Sequence, residues 1–219
     1  VWEWLRPYRL TQDLLEPEQL SALQKEITES PYLAPEALNK GERGTYGYSL
    51  IFRRSSILRV CREMPAFRPY LEKTLDGRCN AFFINPLVIS EGQQVAAHAD
   101  RSLGELAKVP YPVKTSVLYL RVPPDLEGGR LSFYVLGIPV GRVTPQENAL
   151  VEFPGAVRHS VEKVRVCGVP RVSLVCEQYI VKPQVLEELP EYLLSTEREF
   201  SDFMESAIAA SCRNGKQKG

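Results

Sequence analysis

The stretch VAAHADRS, residues 95–102, holds one of only two histidines in a chain of 219 residues, two positions ahead of an aspartate. It lies inside GQQVAAHADRSL (92–103), a run that otherwise reads as a β-strand. On a strand, side chains at i and i+2 share a face. His98 and Asp100 are therefore expected to point inward together, with Ala97 and Ala99 outward. An imidazole and a carboxylate enclosed side by side are costly unless something binds them, and a divalent metal is the candidate. The alternative is a surface pair on an edge strand, which is the commoner fate of an isolated HxD.

Two ligands hold a metal poorly, so a third is needed. The other histidine, His159, stands in LVEFPGAVRHSVEKV (150–164), after a strand run and a Pro-Gly turn. A neighbouring strand from that turn can carry it toward His98. Two histidines and one carboxylate leave coordination positions open, the facial triad suited to non-haem Fe(II) and O2 chemistry. Further along, RVSLVCEQYI (171–180) again places two polar residues at i and i+2, Arg171 and Ser173. An inward arginine needs an anionic partner, and its planar fork suits a carboxylate. Tyr119, in SVLYLRV (116–122), can add a phenolic hydrogen bond to the same group. A metal with open positions beside an arginine fork describes a site for a dicarboxylate chelator. The competing assignments are Arg171 paired with Glu152 or Glu177, Tyr119 as plain core, and Ser173 bonded within its own strand.

Around these residues the chain changes character twice. LLEPEQLSALQKEI (14–27) puts Leu20, Leu23 and Ile27 on one helical face, with Pro17 and Glu18 in a first turn. A second helical pattern runs through Ile57, Cys61 and Met64, is broken by Pro65, and resumes with Phe67, Leu71 and Leu75. Between them NKGERGTYGYSLIFRRSS (39–56) has three glycines and no helical period, which predicts a loop or loose hairpin. This segment carries Tyr46, Tyr48, Arg53 and Arg54 and is the candidate substrate lid. AFFINPLVIS, TSVLYLRV, RLSFYVLGI, ENALVEF and RVSLVCEQYIV are β-rich runs bounded by turn residues, and short strands without intervening helices predict a sandwich, jelly roll or barrel. EYLLSTEREFSDFMESAIAAS (191–211) restores a helical stripe of Leu193, Phe200, Phe203, Ala207 and Ile208, followed by a polar tail. The expected organisation is one domain over 1–219: helical support and lid in 1–80, a β core in 81–182, and a helical extension with tail in 183–219.

Composition narrows the classes. Lysine plus arginine and aspartate plus glutamate stand at 27 each, and 44% of residues are hydrophobic. A balanced chain has no net field that draws it to nucleic acid or an anionic membrane, and no apolar run is long enough to span a bilayer. The five cysteines are odd in number and show no CxxC spacing, which predicts free thiols in a reducing compartment, the cytoplasm. VWEWLRPYRL lacks the order of a signal peptide. The chain begins with valine, so a preceding segment stays open.

In order along the chain, these motifs resemble the Fe(II)/2-oxoglutarate-dependent dioxygenases, in particular their prolyl 4-hydroxylase-like branch. EGQQVAAHAD resembles the family's glycine-then-HxD strand, with Gly92 six residues ahead of His98. SVLYLRVPPDLEGGRLSFY resembles its tyrosine-leucine strand and GG turn, at Gly128 and Gly129. VTPQENALVEFPGAVRHSVEKV resembles the approach to the distal histidine, and GVPRVSLVCEQYIV the arginine strand. The resemblance implies an α+β, mainly β fold with a double-stranded β-helix (jelly-roll) core flanked by N-terminal and C-terminal helices. It implies His98, Asp100 and His159 as iron ligands, Arg171 as partner of the 2-oxoglutarate C5 carboxylate, and Tyr119 and Ser173 assisting. The implied reaction is hydroxylation coupled to decarboxylation of 2-oxoglutarate to succinate and CO2, with O2 as oxidant and ascorbate as a possible reductant. A peptidyl residue such as proline is the first substrate class; a free small molecule or amino acid is the second, and a metal-binding module without turnover is the non-enzymatic alternative. Two departures stand out. Arg171 lies twelve residues after His159, further than usual, and LVIS (87–90) replaces the tyrosine many members carry before the HxD.

Overall fold

The computed structural model describes residues 7–33 and 46–216, the side chains of Tyr46 and of 210–216 excepted. In chain order it runs β1 (Arg9–Thr11), α1 (Pro17–Thr28), β2 (Tyr46–Arg53), α2 (Ile57–Glu63), α3 (Arg68–Thr74), β3 (Ala81–Ile89) and β4 (Val95–His98). There follow β5 (Lys114–Arg121), β6 (Glu127–Gly128), β7 (Leu131–Val135), β8 (Ile138–Val143), β9 (Leu150–Phe153) and β10 (Arg158–Val161). The chain continues with β11 (Val164–Val166), β12 (Arg171–Tyr179), α4 (Pro183–Leu186), β13 (Tyr192–Thr196) and α5 (Glu197–Lys216). Among the described residues no helix is long and apolar enough to cross a membrane.

The protein is mostly β. Seven strands pair antiparallel in the order β1-β9-β5-β12-β3-β2-β13, and four more in the order β4-β10-β7-β8. β12 lies inside the large sheet, and all nine of its residues pair with β3 while Val172 to Gln178 pair with β5. Both faces of such a strand are covered, so apolar residues fall on both, while the polar Arg171, Ser173 and Glu177 all stand at odd positions. Its even-numbered residues Leu174 and Cys176 enter a core with Leu23 and Ile27 of α1 and with Phe67 and Leu71 of the next helical segment. Odd-numbered Val175 faces the other way, toward a second core built from Tyr119, Phe133, Phe153 and Val161. That second core lies between the two sheets and holds the cavity described below.

Helix α1 forms as its pattern predicts, with Pro17 in its first turn and Leu20, Leu23 and Ile27 buried. The break at Pro65 is a single 3-10 turn between α2 and α3. Two expectations are corrected. Residues 46–53 form strand β2, not a loop, between β3 and β13. The ladder between β2 and β3 skips at Asn85 and Pro86; proline has no N–H to give, and the Asn85 side chain donates to the Tyr48 carbonyl instead, at 2.9 Å. Gly47 is needed there because a Cβ would stand 2.7 Å from the Pro86 carbonyl oxygen. Tyr48 is buried in the helix-side core. Arg53 donates to backbone carbonyls of Glu187 and Leu189, and Arg54 to those of Asp76 and Cys79. These three side chains are thus packed into the fold; residues 39–45 of the candidate lid lie outside the described residues. The second correction is at the C-terminal segment, where Tyr192–Thr196 pairs with β2 before the helix starts. Sheet pairing overrides helical periodicity there, and α5 then runs on to Lys216, into the expected polar tail.

The long His159–Arg171 spacing is taken up by β11, which pairs with β6. This ribbon holds the double glycine: Gly128 has φ +83°, and a Cβ on it would meet the Lys163 carbonyl oxygen at 2.2 Å. Gly128→Ala is expected to cost at least about 1–2 kcal/mol from the left-handed backbone alone, more with the clash, read as a lower midpoint in chemical denaturation. Gly77, with open space around its Cβ position, is the control: Gly77→Ala is expected to be neutral or to stabilise by up to ~1 kcal/mol.

Candidate active site

β4 and β10 are antiparallel neighbours, and His159 sits directly opposite His98. Their ring centroids are 4.4 Å apart. Asp100 comes two residues later, but not on the same strand: β4 ends at His98 and residues 99–101 have no regular structure. The expected continuous strand over VAAHADRS is thus corrected to a strand and a turn. The turn still brings Asp100 Oδ1 to 3.2 Å from His98 Nε2 and 3.5 Å from His159 Nε2. One donor atom from each of the three residues lies within 4.8 Å of the others.

Local hydrogen bonds set the tautomers. His98 Nδ1 is 2.8 Å from the Ala96 carbonyl and His159 Nδ1 is 3.0 Å from that of Val157. A carbonyl only accepts, so both Nδ1 atoms carry hydrogen and both Nε2 atoms face the Asp100 carboxylate. The side chains of His159 and Asp100 are 7% exposed, that of His98 41%. Burial opposes charge on His98, but the hydrogen bonds its ring gives to the Asp100 carboxylate and the Ala96 carbonyl outweigh it and hold the pKa above the ordinary histidine value. At His159 burial wins over the attraction of Asp100 and the pKa falls below it. Asp100 is held below the usual carboxylate range: burial resists this, and the two histidines overcome it. Its Oδ2 is buried and makes no hydrogen bond.

The strand run RVSLVCEQY forms β12, and Arg171 and Ser173 share a face as expected. Arg171 is 1% exposed. Its Nη1 donates to the Gly129 carbonyl at 2.7 Å, while Nε has no partner. The glycine turn thus fixes the guanidinium. Among the described residues no carboxylate lies within 4.0 Å of Arg171: Glu152 pairs with Lys114 at 2.8 Å, and Glu177 is engaged elsewhere. Burial pushes the Arg171 pKa down. The Tyr119 ring centroid lies 5.5 Å from the guanidinium carbon, and its buried hydroxyl makes no hydrogen bond. Ser173 lies opposite Tyr119 on β5 and opposite Leu87 on β3, and its hydroxyl donates to the Leu87 carbonyl at 3.4 Å.

All six residues singled out in the sequence line one cavity of about 390 Å³ between the sheets. Leu87, of the stretch LVIS, lines it too. So do Asn85, Glu177, Glu197 and Phe200, which the motifs did not single out. Glu177 was within reach, since it lies six residues after Arg171 on a strand whose odd positions face inward. Glu197 and Phe200 arrive from the start of α5, and Phe200 packs on Phe83 with centroids 5.2 Å apart; no local pattern points there.

At the level of sequence, no family model and no curated protein matches the chain. Solved structures do match by fold. A Pseudomonas putida prolyl-4-hydroxylase is 18% identical, with a TM-score of 0.53 over 80% of this chain and 94% of its own. An oxidoreductase of the 2OG-Fe(II) oxygenase family from Burkholderia pseudomallei is 16% identical, with a TM-score of 0.55 over 80% and 85%. A Trichoplax adhaerens prolyl hydroxylase, solved with a peptide fragment of the hypoxia inducible factor oxygen degradation domain, is 15% identical, with a TM-score of 0.51 over 80% and 84%. The chain shares its fold with prolyl 4-hydroxylases and 2OG-Fe(II) oxygenases, as its motifs imply.

Proposed function

We propose that this chain is an Fe(II)- and 2-oxoglutarate-dependent dioxygenase, a hydroxylase whose first substrate class is a peptidyl residue such as proline. The observation that carries the reading is one cavity holding both a three-donor cluster and a buried guanidinium that has no carboxylate within 4.0 Å among the described residues. Each half is costly alone. Two imidazole Nε2 atoms and a carboxylate face one another with one carboxylate oxygen unsatisfied, an arrangement a divalent cation relieves. An uncompensated buried arginine is destabilising by several kcal/mol, and a dicarboxylate relieves it. Fe(II) meets the first need, and 2-oxoglutarate, a chelator of that metal with a distal carboxylate to spare, meets the second.

On this reading His98, Asp100 and His159 hold Fe(II), and the Ala96 and Val157 carbonyls fix the two rings with Nε2 presented to the metal. Bound there, the metal supplies the activation of O2 that couples 2-oxoglutarate decarboxylation to hydroxylation. Arg171 orients the co-substrate by its distal carboxylate, steadied by the Gly129 carbonyl, with Tyr119 donating a hydrogen bond and Ser173 beside it. Leu87 keeps that end of the cavity apolar and excludes water. We take the facing antiparallel sheets as a double-stranded β-helix within a single domain over 1–219. The free thiols of Cys61, Cys79, Cys167 and Cys176 fit a cytoplasmic protein. The peptide class is supported by the peptide named with the Trichoplax prolyl hydroxylase.

Protein purified without oxygen and then given Fe(II), ascorbate, 2-oxoglutarate and O2 is expected to form succinate, slowly without substrate and faster with prolyl peptides. His98→Ala is expected to abolish it. Metal binding without any succinate under either condition would point to the non-catalytic module and end the dioxygenase reading. Metal affinity should also follow pH. The raised His98 pKa means a proton must leave before the metal binds, so Fe(II) affinity is expected to rise with pH through that value. Below it, affinity falls about tenfold per pH unit for one displaced proton. An affinity flat between about pH 5.5 and 8, around the ordinary histidine value, would contradict His98 as a ligand.

A further inference from the structure

The turn that delivers Asp100 lies beyond the end of β4, and two side chains of β12 hold it from outside. The Ser102 amide donates to Glu177 Oε2 at 3.0 Å, and the Ser102 hydroxyl to Glu177 Oε1 at 2.5 Å. The Leu103 amide donates to the Tyr179 hydroxyl at 3.2 Å, and that hydroxyl donates in turn to Glu177 Oε2. Glu177 is 2% exposed and Tyr179 fully buried. Among the described residues no cation lies within 4.0 Å of Glu177. Burial and the charge of Asp100 hold its carboxyl well above the ordinary carboxylate range. An apolar residue would fill this strand position at less cost, so the acid needs a reason to be there. Its neutral donors supply one: two come from the residue two positions past Asp100, and the third is the hydroxyl that also fixes Leu103.

We propose that Glu177 is a positioning residue: through Ser102 directly, and through Tyr179 on Leu103, it fixes the turn that sets the Asp100 carboxylate between His98 and His159. The inference rests on the reading of those three residues as metal ligands. It assigns β12 two tasks, co-substrate binding at Arg171 and placement of the carboxylate ligand at Glu177. Removing an outer partner of a ligand typically costs 10–100-fold in metal affinity.

The test titrates Co(II) alone into the wild type, Glu177→Ala, Glu177→Gln and Ser102→Ala, following visible absorption as a signature of coordination, with melting curves alongside. Glu177→Ala is expected to bind Co(II) roughly 10–100-fold more weakly and with an altered spectrum. Glu177→Gln, which keeps an acceptor oxygen, recovers part of the loss, and Ser102→Ala moves in the same direction by less. Lower melting temperatures with unchanged affinity and spectrum in the folded variants would mean a structural role only and overturn the proposal. If Glu177→Ala does not fold, Ser102→Ala decides, and wild-type affinity in that variant overturns it. A wild type that binds no Co(II) brings down the three-ligand reading itself, and the proposal with it.

Discussion

The alternation of β12 is the constraint on which the rest depends. A strand paired on both sides cannot choose its register freely, because a slip of one residue moves every side chain to the other face. β12 pairs with β3 along its whole length and with β5 along most of it. Its even face is locked by Leu174 and Cys176 in the helix-side core. Its odd face must then present Arg171, Ser173, Val175 and Glu177 to the cavity. The polar residues are where they are because the apolar ones leave them no other place.

That placement concentrates unfavourable charge. Arg171 lacks a carboxylate among the described residues, Asp100 has a buried oxygen without a donor, and the Tyr119 hydroxyl is unsatisfied. Burying unpaired groups costs more than paired ones return, and a domain has only some 5–15 kcal/mol of net stability. The large sheet is covered on both faces, and the Gly129 carbonyl, next to the β6–β11 ribbon, accepts a hydrogen bond from the guanidinium. On the proposed reading the strain is the binding energy in waiting: a cation and a dicarboxylate restore the balance that the cavity lacks.

Much of the site was legible because its signals are local. RxS follows from the period of two on β12, HxD and a second histidine after a Pro-Gly turn are short local motifs, and the structure gathers all six residues around one cavity. The sheets were legible from β-branched and aromatic runs, and α1 from its 3.6-residue stripe. What escaped depends on pairing across long sequence distances. β2 hides behind glycines because Gly47 must approach Pro86 closely, and β13 looks helical until it lies against β2. The turn after His98 breaks the expected strand, and the Glu177 carboxylate to which Ser102 donates lies 75 residues away in sequence. Phe200 enters the cavity from α5 through packing on Phe83, which no window of sequence contains.

The most direct test of the account is anaerobic calorimetry of 2-oxoglutarate binding, with and without Mn(II), to the wild type and to Arg171→Met. The account predicts binding that tightens with the metal and is lost in Arg171→Met, while the ligand-free variant is at least as stable as the wild type because a buried unpaired charge has gone. Binding that is indifferent to Arg171, or no binding to the metal-loaded wild type, would contradict it.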